Sequence, residues 1–287
     1  MSNSEEIRDF LKTRRARISP EEAGLPAYGA KRRVPGLRRE EVALLAGISV
    51  EYYTRLERGN ARGVSEGVLD GIVRALQLDE AERAHLLDLV RAANATPSRR
   101  RQPTQQRVRP AIQQLLDSMT VPALVQNGRL DVLYGNRLGR ALFSDLFSDV
   151  GGAPNAARNL FLNPRSTDFF KEWETIANDV VALLRAEAGR DPYDRALSDL
   201  VGELSTRSED FRVRWARHDV RFHRTGTKHF NHSLVGDLTL AYEALELPAD
   251  PGQNIFVYMA EPNSASQEAL DILASWEGAG AATERHR

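Results

Sequence analysis

The sequence predicts a protein of two domains, in which an all-α domain of five helices precedes an α+β domain with an antiparallel sheet and flanking helices. Three observations lead to this fold class. The 287 residues exceed the size of one typical domain. Apolar residues recur at helical spacing through about the first ninety residues, and strand-like runs begin only beyond residue 121. We therefore expect domains at residues 1–95 and 111–280, joined by a linker at residues 96–110.

Helical spacing and capping residues define the helices of the first domain. One amphipathic helix is predicted over residues 4–18, and the loop that follows it contains three prolines and three glycines. A second and a third helix follow within residues 39–58. A fourth begins at the candidate N-cap Ser65, and a fifth begins after Asp79. Five short helices within about ninety residues are typical of a compact all-α domain.

The second domain mixes strands with helices. Residues 96–110 are basic and poor in apolar side chains, so we expect a linker that ends in a docking helix. Asn127-Gly128 lies between two strand-like runs and therefore predicts a β-hairpin. Further helices are predicted over residues 169–188, 193–204 and 266–275, and further strands over residues 219–224, 228–245 with a turn near Gly236, and 254–260. This order suits an antiparallel sheet with helices packed on it.

Composition narrows the possible functions. The chain has no cysteine, which excludes disulfides, thiolate catalysis and Cys-ligated zinc. No apolar run approaches the length of a membrane span, and the first residues do not resemble a signal peptide, so we expect a cytoplasmic protein with no membrane partner. Residues 1–110 carry 21 basic and 15 acidic side chains, whereas the remainder carries 18 and 25. A polyanionic partner would therefore bind the first domain, although an uneven charge distribution also arises without one.

The segment REEVALLAGISVEYYTRLER, residues 39–58, has the pattern of a helix-turn-helix. Ala43 is small where two helices would cross closely, and Gly47 lies where the turn favours positive φ. The apolar positions that would bury one face are Val42, Ala46, Ile48, Tyr53 and Leu56. Together, at these offsets, the features predict a DNA-reading motif whose polar residues face outward.

This domain resembles the lambda-repressor-like (XRE) helix-turn-helix regulators, and residues 31–59, KRRVPGLRREEVALLAGISVEYYTRLERG, are similar to the MmyB-like branch. Residues 211–245 resemble the PAS-like ligand-binding domain of that branch. The resemblance implies a one-component, sequence-specific DNA-binding transcriptional regulator rather than an enzyme, with no cofactor. Its implied partners are double-stranded operator DNA and a small lipophilic, fatty-acid-like ligand. Because one small domain reads few base pairs, we also expect a homodimer.

In the helix-turn-helix architecture the third helix lies in the major groove and the second crosses the phosphate backbone. Arg55 would bind a guanine, Glu51 would accept from a cytosine amino group, and Val50 would meet a thymine methyl. The basic loop at residues 31–33 would grip a phosphate or enter the minor groove, unless it is simply a solvated loop. The candidate DNA contacts are Lys31, Arg32, Arg33, Arg38, Arg39, Ser49, Val50, Glu51, Tyr52 and Arg55. Arg58 is instead expected to pair with Glu57 or with an acid of the second helix.

A PAS-like sheet wrapped by helices often encloses an apolar pocket, the usual site for a small ligand. The candidate ligand contacts are Leu133, Tyr134, Asn136, Phe143, Trp173, Arg214, Trp215, His218, Arg221 and Phe222. Phe147, Leu160 and Phe161 are further candidates for the lining. Aromatic residues at these spacings are more often ordinary core residues than ligand contacts, and the polar residues would anchor a group such as a carboxylate.

Three alternatives follow from the same residues. His218, His223, His229 and His232 lie close in sequence, but without helical i, i+4 spacing or an HExxH motif we expect no metal site. An enzyme fused to a DNA-binding domain is a second alternative, although the sequence has no Gly-rich phosphate loop and no GxSxG motif. A helix-turn-helix used only for protein contact is the third, and Arg38-Arg39 argues against it. A steep fall of DNA binding with salt would indicate phosphate contacts, whereas a flat response would count against DNA binding altogether.

Overall fold

The structure is a computed structural model that describes residues 3–25, 36–94, 107–148, 153–217 and 225–284. It divides into two compact units. Unit 1 contains the described residues 3–25, 36–94, 185–199 and 213–217. Unit 2 contains the described residues 107–148, 153–184, 200–212 and 225–284.

The N-terminal part of unit 1 consists of five helices, as the sequence predicts. They are α1 (Asn3–Arg17), α2 (Arg39–Ala46), α3 (Val50–Glu57), α4 (Glu66–Ala75) and α5 (Glu80–Asn94). Their buried faces form one core that includes Ile7, Phe10, Val42, Tyr53 and Leu56. Ser65 is the N-cap residue of α4, and Asp79 and Glu82 exchange backbone-to-carboxylate bonds at the start of α5. Capping and periodicity therefore predicted these helix starts correctly.

The turn between α2 and α3 has the expected backbone conformation. Gly47 has φ of 68° and ends α2 in the left-handed region that favours glycine. Ala43 is buried, as predicted. A close backbone approach lies at α4: a Cβ on Gly71 would stand 2.5 Å from the carbonyl oxygen of Ala46. Glycine at position 71 thus permits α2 and α4 to pack closely.

Unit 2 contains a five-stranded sheet with helices around it. The strands are β1 (Ala123–Asn127), β2 (Val132–Gly135), β3 (Thr225–His232), β4 (Gly236–Glu246) and β5 (Gln253–Met259). The helices numbered after the first five are α6 (Pro110–Asp117), α7 (Arg137–Leu142), α8 (Ser144–Phe147), α9 (Ala156–Leu162), α10 (Ser166–Phe169), α11 (Trp173–Arg190), α12 (Arg195–Arg207), α13 (Glu209–Trp215) and α14 (Ala265–Glu284). The last residues of α11, the first of α12 and the last of α13 belong to unit 1.

The sheet has the strand order β2-β1-β5-β4-β3 with antiparallel pairing throughout, which confirms the predicted α+β class. The predicted hairpin joins β1 and β2, and the side chain of Asn127 accepts bonds from the backbone N–H groups of Arg129 and Asp131. The stretch predicted as strand at residues 228–245, with a turn near Gly236, forms β3 and β4 with a turn at residues 233–235. The strand predicted at residues 219–224 lies outside the described residues.

The two faces of this sheet are covered differently. One face packs against α7 to α11 and α14 through a core that includes Phe143, Leu160, Ile176 and Leu270. The other face packs against α6, where Leu116 is buried. The hydroxyl of Tyr134 donates to the carboxylate of Asp117 at 2.8 Å and helps to hold α6 on the sheet. The expected docking helix is therefore α6.

Unit 1 also contains an ion pair between buried side chains. Arg185 is fully buried and bonds both the carboxylate of Glu6 and the backbone carbonyl of Trp215. Its guanidinium carbon lies 4.1 Å from the centre of the Trp215 ring. Burial of a charged group this completely is tolerated only with such partners.

Among the described residues, no helix combines the length and the apolar character that a membrane span requires.

Candidate functional sites

The outward face of α3 forms a cleft of about 460 Å³ in unit 1. It is lined by Val50, Glu51, Thr54, Arg55, Arg58 and Asn60. The guanidinium carbon of Arg55 lies 4.7 Å from the centre of the Tyr52 ring, which is the geometry of a cation–π contact. Sequence reasoning placed Val50, Glu51, Tyr52 and Arg55 on this surface, and the structure brings them together.

Two residues of this surface have capping roles. Ser49 is the N-cap of α3, and its hydroxyl oxygen accepts the backbone N–H of Tyr52 at 3.1 Å, which leaves the hydroxyl proton available for a further acceptor. Arg38 is the N-cap of α2, and its backbone N–H donates to the carboxylate of Glu41 at 2.6 Å. Its side chain is exposed and lies 3.4 Å from Glu40. The Arg38 guanidinium is therefore accessible to a phosphate.

Arg39 is part of a cluster around the buried carboxylate of Glu57. Glu57 accepts from Arg39 and from the Nε of Arg15 at 2.6 Å, and Arg15 also donates to the carbonyl of Leu37 at 2.7 Å. The side chain of Arg39 remains 48% exposed. Burial, and then the charge of Glu57, raise the pKa of the Tyr53 hydroxyl well above its usual range. This cluster fixes α3 relative to α1 and α2.

The Glu57 cluster changes the expectation for Arg58. Glu57 bonds Arg15 and Arg39, and Arg58 instead lines the α3 cleft beside Arg55. Arg58 is therefore an additional candidate on the DNA-reading surface that the sequence reasoning did not include. The predicted contacts Lys31, Arg32 and Arg33 lie outside the described residues.

Unit 2 contains a cavity of about 80 Å³ between the sheet and the helices of the larger core. Its apolar wall includes Leu124, Phe143, Leu146, Leu160, Ile176 and Val180. Phe143 is a predicted ligand contact, and Leu160 is a predicted lining residue. The volume is below the range of about 300–1,000 Å³ of common ligand sites, so a long ligand would have to displace side chains.

Other predicted ligand contacts have structural roles. Leu133 and Tyr134 pack on the opposite face of the sheet, against α6. The side-chain oxygen of Asn136 accepts from the N–H groups of Ala123 and Gly139, and its amide donates to the carbonyls of Leu116 and Val121. These four bonds use the whole capacity of the Asn136 side chain, so it fastens α7 to the sheet.

The remaining predicted contacts lie away from the cavity or outside the described residues. Trp173 packs against the larger core, where its indole N–H donates to the carbonyl of Leu160 and to the hydroxyl of Ser166 at 3.2 Å each. Arg214 and Trp215 belong to unit 1, not to the unit that holds the cavity. His218, Arg221 and Phe222 lie outside the described residues.

The cavity has polar lining residues that the sequence reasoning missed. Gln126, Asn159, Asp179, Lys228, Tyr242 and Tyr258 all line it. Burial lowers the pKa of Lys228 to about 8, against the opposing effect of the negative charge of Asp179. Burial, reinforced by Asp179, raises the pKa of Tyr242 to about 12. The amino nitrogen of Lys228 lies 4.7 Å from the centre of the Tyr242 ring.

A sequence signal for this pair exists in the periodicity. Lys228 shares one face of β3 with the buried Phe230 and His232, because alternate residues of a strand face the same side. Asp179 follows Ile176 by three residues on the apolar stripe of α11 and is only 4% exposed. Lys228 and Asp179 each occupy a position where the pattern of β3 or of α11 predicts an apolar residue. These two exceptions can be recognised in the sequence.

Two of the four clustered histidines lie within the described residues. The Nε2 of His232 lies 3.2 Å from the carbonyl oxygen of Ala141, and its Nδ1 accepts the backbone N–H of Leu234. His229 lies 2.6 Å from the carboxylate of Glu172. Within the described part of the chain, no three histidine or acidic side chains are grouped as metal ligands.

Comparison with known families matches two successive regions of the chain. A family model described as "Helix-turn-helix domain" matches residues 6–86, which contain α2, α3 and the cleft. A second, described as "MmyB-like transcription regulator ligand binding domain", matches residues 108–273, more than half of the chain and all of the cavity lining. No curated protein shows a significant match. The chain therefore belongs to the MmyB-like transcription regulators, and it is a ligand-regulated transcription regulator with a helix-turn-helix domain.

Proposed function

We propose that this regulator binds operator DNA sequence-specifically as a homodimer, with α3 in the major groove, and that a lipophilic ligand of unit 2 controls this binding. The observation that carries the proposal is the presence in one chain of a cationic cleft on α3 and an apolar cavity in the ligand-binding region. Arg55 and Arg58 supply the cleft with guanidinium groups suited to guanine edges or phosphates. A chain that contains both a ligand-sensing domain and a DNA-binding domain is a one-component regulator.

The DNA part of the proposal is tested by salt dependence and by two arginine variants. Binding to genomic DNA should fall steeply as salt rises from 50 to 200 mM, on the order of tenfold or more, because each phosphate contact releases counterions. Arg55→Ala should relax the preference at one base position, which costs about 1–3 kcal/mol for the preferred base. Arg39→Ala should weaken binding to every sequence alike. If Arg55→Ala and Arg39→Ala changed the affinity for every member of a randomised site library equally, the assignment of Arg55 to base reading and of Arg39 to phosphate contact would be wrong.

The ligand part of the proposal is supported by the wall of the cavity. Aliphatic and aromatic side chains form most of it, and such a wall selects an apolar molecule with a chain like that of a fatty acid. At about 80 Å³ the cavity accommodates a short chain as it stands. A longer chain would require displacement of lining side chains, since protein cores are otherwise closely packed.

A cavity-filling variant tests the ligand site. Val180→Phe adds volume to the cavity wall, whereas Leu133→Phe adds the same class of side chain to the opposite face of the sheet. Native mass spectrometry of the purified protein, with solvent extraction, should find a lipophilic molecule in the wild type and in Leu133→Phe. Val180→Phe should retain markedly less of it. Equal retention by both variants would place the ligand elsewhere, and the same spectra report whether the protein is a dimer.

A further inference from the structure

Unit 2 contains a second concave space beside the apolar cavity. It is a cleft of about 330 Å³ between α8, α9, α10 and the C-terminal end of β3, and we call it the polar cleft. Its volume lies within the range of about 300–1,000 Å³ of common ligand sites, whereas the cavity of about 80 Å³ lies below that range. The polar cleft therefore provides the space that the cavity lacks.

The polar cleft and the cavity share a wall, since Phe143, Leu146 and Asn159 line both. The ring of Phe143 contacts residues on either side of this wall. Its centre lies 5.1 Å from that of the Tyr258 ring, which lines the cavity, and 6.0 Å from that of the Phe169 ring, which lines the polar cleft. Displacement of the Phe143 side chain would therefore join the two spaces.

Polar side chains predominate among the described residues that line the polar cleft, in contrast to the mostly apolar wall of the cavity. Hydroxyl and amide groups come from Ser144, Asn163, Asn231 and Ser233. Of these four residues, Ser144, Asn231 and Ser233 are exposed, so a ligand can reach them from solvent. Hydroxyl and amide groups both donate and accept hydrogen bonds.

We propose that the cavity and the polar cleft form one binding site for a single-chain amphipathic molecule. Its apolar chain passes Phe143 into the cavity, and its uncharged, hydroxyl-rich end, of the glycerol or sugar type, stays in the polar cleft. The proposal rests on the proposed function, because it takes the cavity as the site of the apolar chain. A chain longer than the cavity is then accommodated by displacement of Phe143 alone, and the polar end differs from the carboxylate that the sequence suggested.

The charged residues of the polar cleft also favour a hydroxyl-rich end. The guanidinium of Arg165 lies 3.4 Å from the carboxylate of Asp145, and Asp168 adds a second carboxylate to the lining. A ligand carboxylate would be repelled by Asp145 and Asp168, and a ligand ammonium would be repelled by Arg165. Hydroxyl groups can donate to the carboxylates and accept from the guanidinium. Because these side chains are partly or largely exposed, solvent screening keeps each repulsion modest, and we expect preferences of about tenfold.

Probes with a common octyl chain test the polar end on the full-length protein. Binding of 1-O-octylglycerol, 1-octanol, octanoate and octylammonium is measured by calorimetry at pH 7, below the concentrations at which they form micelles. We expect octylglycerol to bind at least about tenfold more tightly than each of the others, which corresponds to about 1.4 kcal/mol, because its additional hydroxyls form hydrogen bonds in the polar cleft. The shorter 1-O-butylglycerol should bind at least about tenfold more weakly than octylglycerol, because it buries fewer methylene groups in the cavity.

Separate variants alter the cavity and the polar cleft. Val180→Phe fills part of the cavity, so it should weaken octanol and octylglycerol alike, by at least about fivefold, whereas the control Leu133→Phe should weaken neither. Circular dichroism verifies that each variant is folded. If Val180→Phe does not fold, the comparison of butylglycerol with octylglycerol in the wild type decides whether the chain is buried.

The double variant Asp145→Asn with Asp168→Asn alters the polar cleft and keeps the size of both side chains. Octanol should bind it within about twofold of its wild-type affinity, whereas the advantage of octylglycerol over octanoate should shrink at least about threefold, because the repulsion of octanoate is removed. Glu268→Gln with Asp271→Asn removes the same charge from exposed positions of α14, outside the described lining of the cleft, and is the matched control. It should leave the order of the four octyl probes unchanged.

The outcomes distinguish this proposal from the proposed function. If octanol, octanoate or octylammonium bound the wild type as tightly as octylglycerol, the hydroxyl-rich end would be wrong and the cavity would remain the ligand site. An unchanged advantage of octylglycerol over octanoate in the variant with Asp145→Asn and Asp168→Asn would likewise exclude the polar cleft as the place of the polar end. Loss of octanol but not of octylglycerol in Val180→Phe would show two separate sites. Absence of binding of every probe would overturn the cavity as a ligand site, and with it both proposals.

Discussion

Glu57 in unit 1 and Asp179 in unit 2 are both carboxylates buried within a helical face, but their surroundings differ. Glu57 is enclosed by Arg15 and Arg39 and by the tightly packed core of the five helices. Asp179 borders an open cavity that it shares with Lys228. A buried charge whose surroundings are filled can only hold structure in place, and here it orients α3. A buried charge that borders a cavity lies where a molecule that enters could contact it.

The largest expected effect follows from neutralising Glu57. Glu57→Gln keeps the size of the side chain but leaves Arg15 and Arg39 facing each other without an anion. Because Glu57 is almost fully buried, the free energy of unfolding of the protein should fall by about 3 kcal/mol. Urea unfolding followed by circular dichroism measures this loss, and DNA affinity should fall as well because α3 loses its support.

Glu40 provides the control for that measurement. It lies in the first turn of the neighbouring α2, and its side chain is 61% exposed. Glu40→Gln should therefore change the free energy of unfolding by less than about 0.5 kcal/mol. If Glu57→Gln were no more destabilising than Glu40→Gln, the Glu57 cluster would not hold α3, and the contrast with Asp179 would fail.

The next effect tests how completely the core of unit 1 is filled. Gly71→Ala would place a Cβ 2.5 Å from the backbone oxygen of Ala46, so α2 and α4 would have to separate. We expect a loss of about 2 kcal/mol, which is in the range for overpacked cores. Thermal unfolding measures this loss.

Gly67 lies on the same helix and supplies a matched comparison. A Cβ there would have no heavy atom within 4 Å. Gly67→Ala should therefore be neutral or stabilise the helix by up to about 1 kcal/mol, through the higher helix propensity of alanine. Similar results for the two alanine variants would mean that α2 and α4 adjust freely, which would contradict a filled core.

The same contrast explains what the sequence could predict. In unit 1 the helix starts, the left-handed Gly47 and the buried face of the helix-turn-helix follow from local spacing and from the conformational preferences of single residues. The partner of Arg39 could not be predicted in the same way. Glu57 lies eighteen residues from Arg39, and their contact depends on the angle at which α2 and α3 cross.

In unit 2 the strands were predictable from alternation and from the turn at Asn127-Gly128, and the resemblance implied a pocket, but most of the residues that line the cavity were not predictable. Aromatic residues were poor guides because Tyr134 and Trp173 satisfy their polar atoms with Asp117 and with Leu160 and Ser166. The short helices α7 and α9 begin at Asn136 and Asn155, whose side chains cap them. With six and seven residues, each of these helices has fewer than two turns, which is too short for a period to be recognised from sequence. Asp179 and Lys228 come together only when α11 packs on the sheet.

The smallest expected effect concerns the pH dependence that Lys228 confers on stability. Its pKa is about 8 in the folded protein, against about 10.5 ordinarily, because burial disfavours the ammonium form. Below pH 8 Lys228 is protonated in both the folded and the unfolded protein, so the full cost of burying its charge lowers the free energy of unfolding. Between pH 8 and 10.5 the unfolded chain binds more protons, so stability rises with pH and the penalty disappears. Lys228 is half-buried, so water screens part of the effect. Between pH 8 and 10.5 we therefore expect the free energy of unfolding of the wild type to rise by about 1 kcal/mol more than that of Lys228→Met.

The interval itself identifies the groups involved. Tyr242, whose pKa is raised to about 12 in the folded protein, and Tyr258, whose pKa is raised further, ionise within this interval only in the unfolded chain. Wild type and Lys228→Met both keep the two tyrosines, so this effect is the same in both and does not contribute to the difference between them. Asp179→Asn removes the negative charge that keeps the pKa of Lys228 from falling further, so the rise in stability should begin at a lower pH in that variant. Urea unfolding at half-unit steps from pH 6.5 to 10.5 measures all three proteins. Parallel curves for wild type and Lys228→Met would show that Lys228 reaches water in the folded protein and is not a buried charge of the cavity wall.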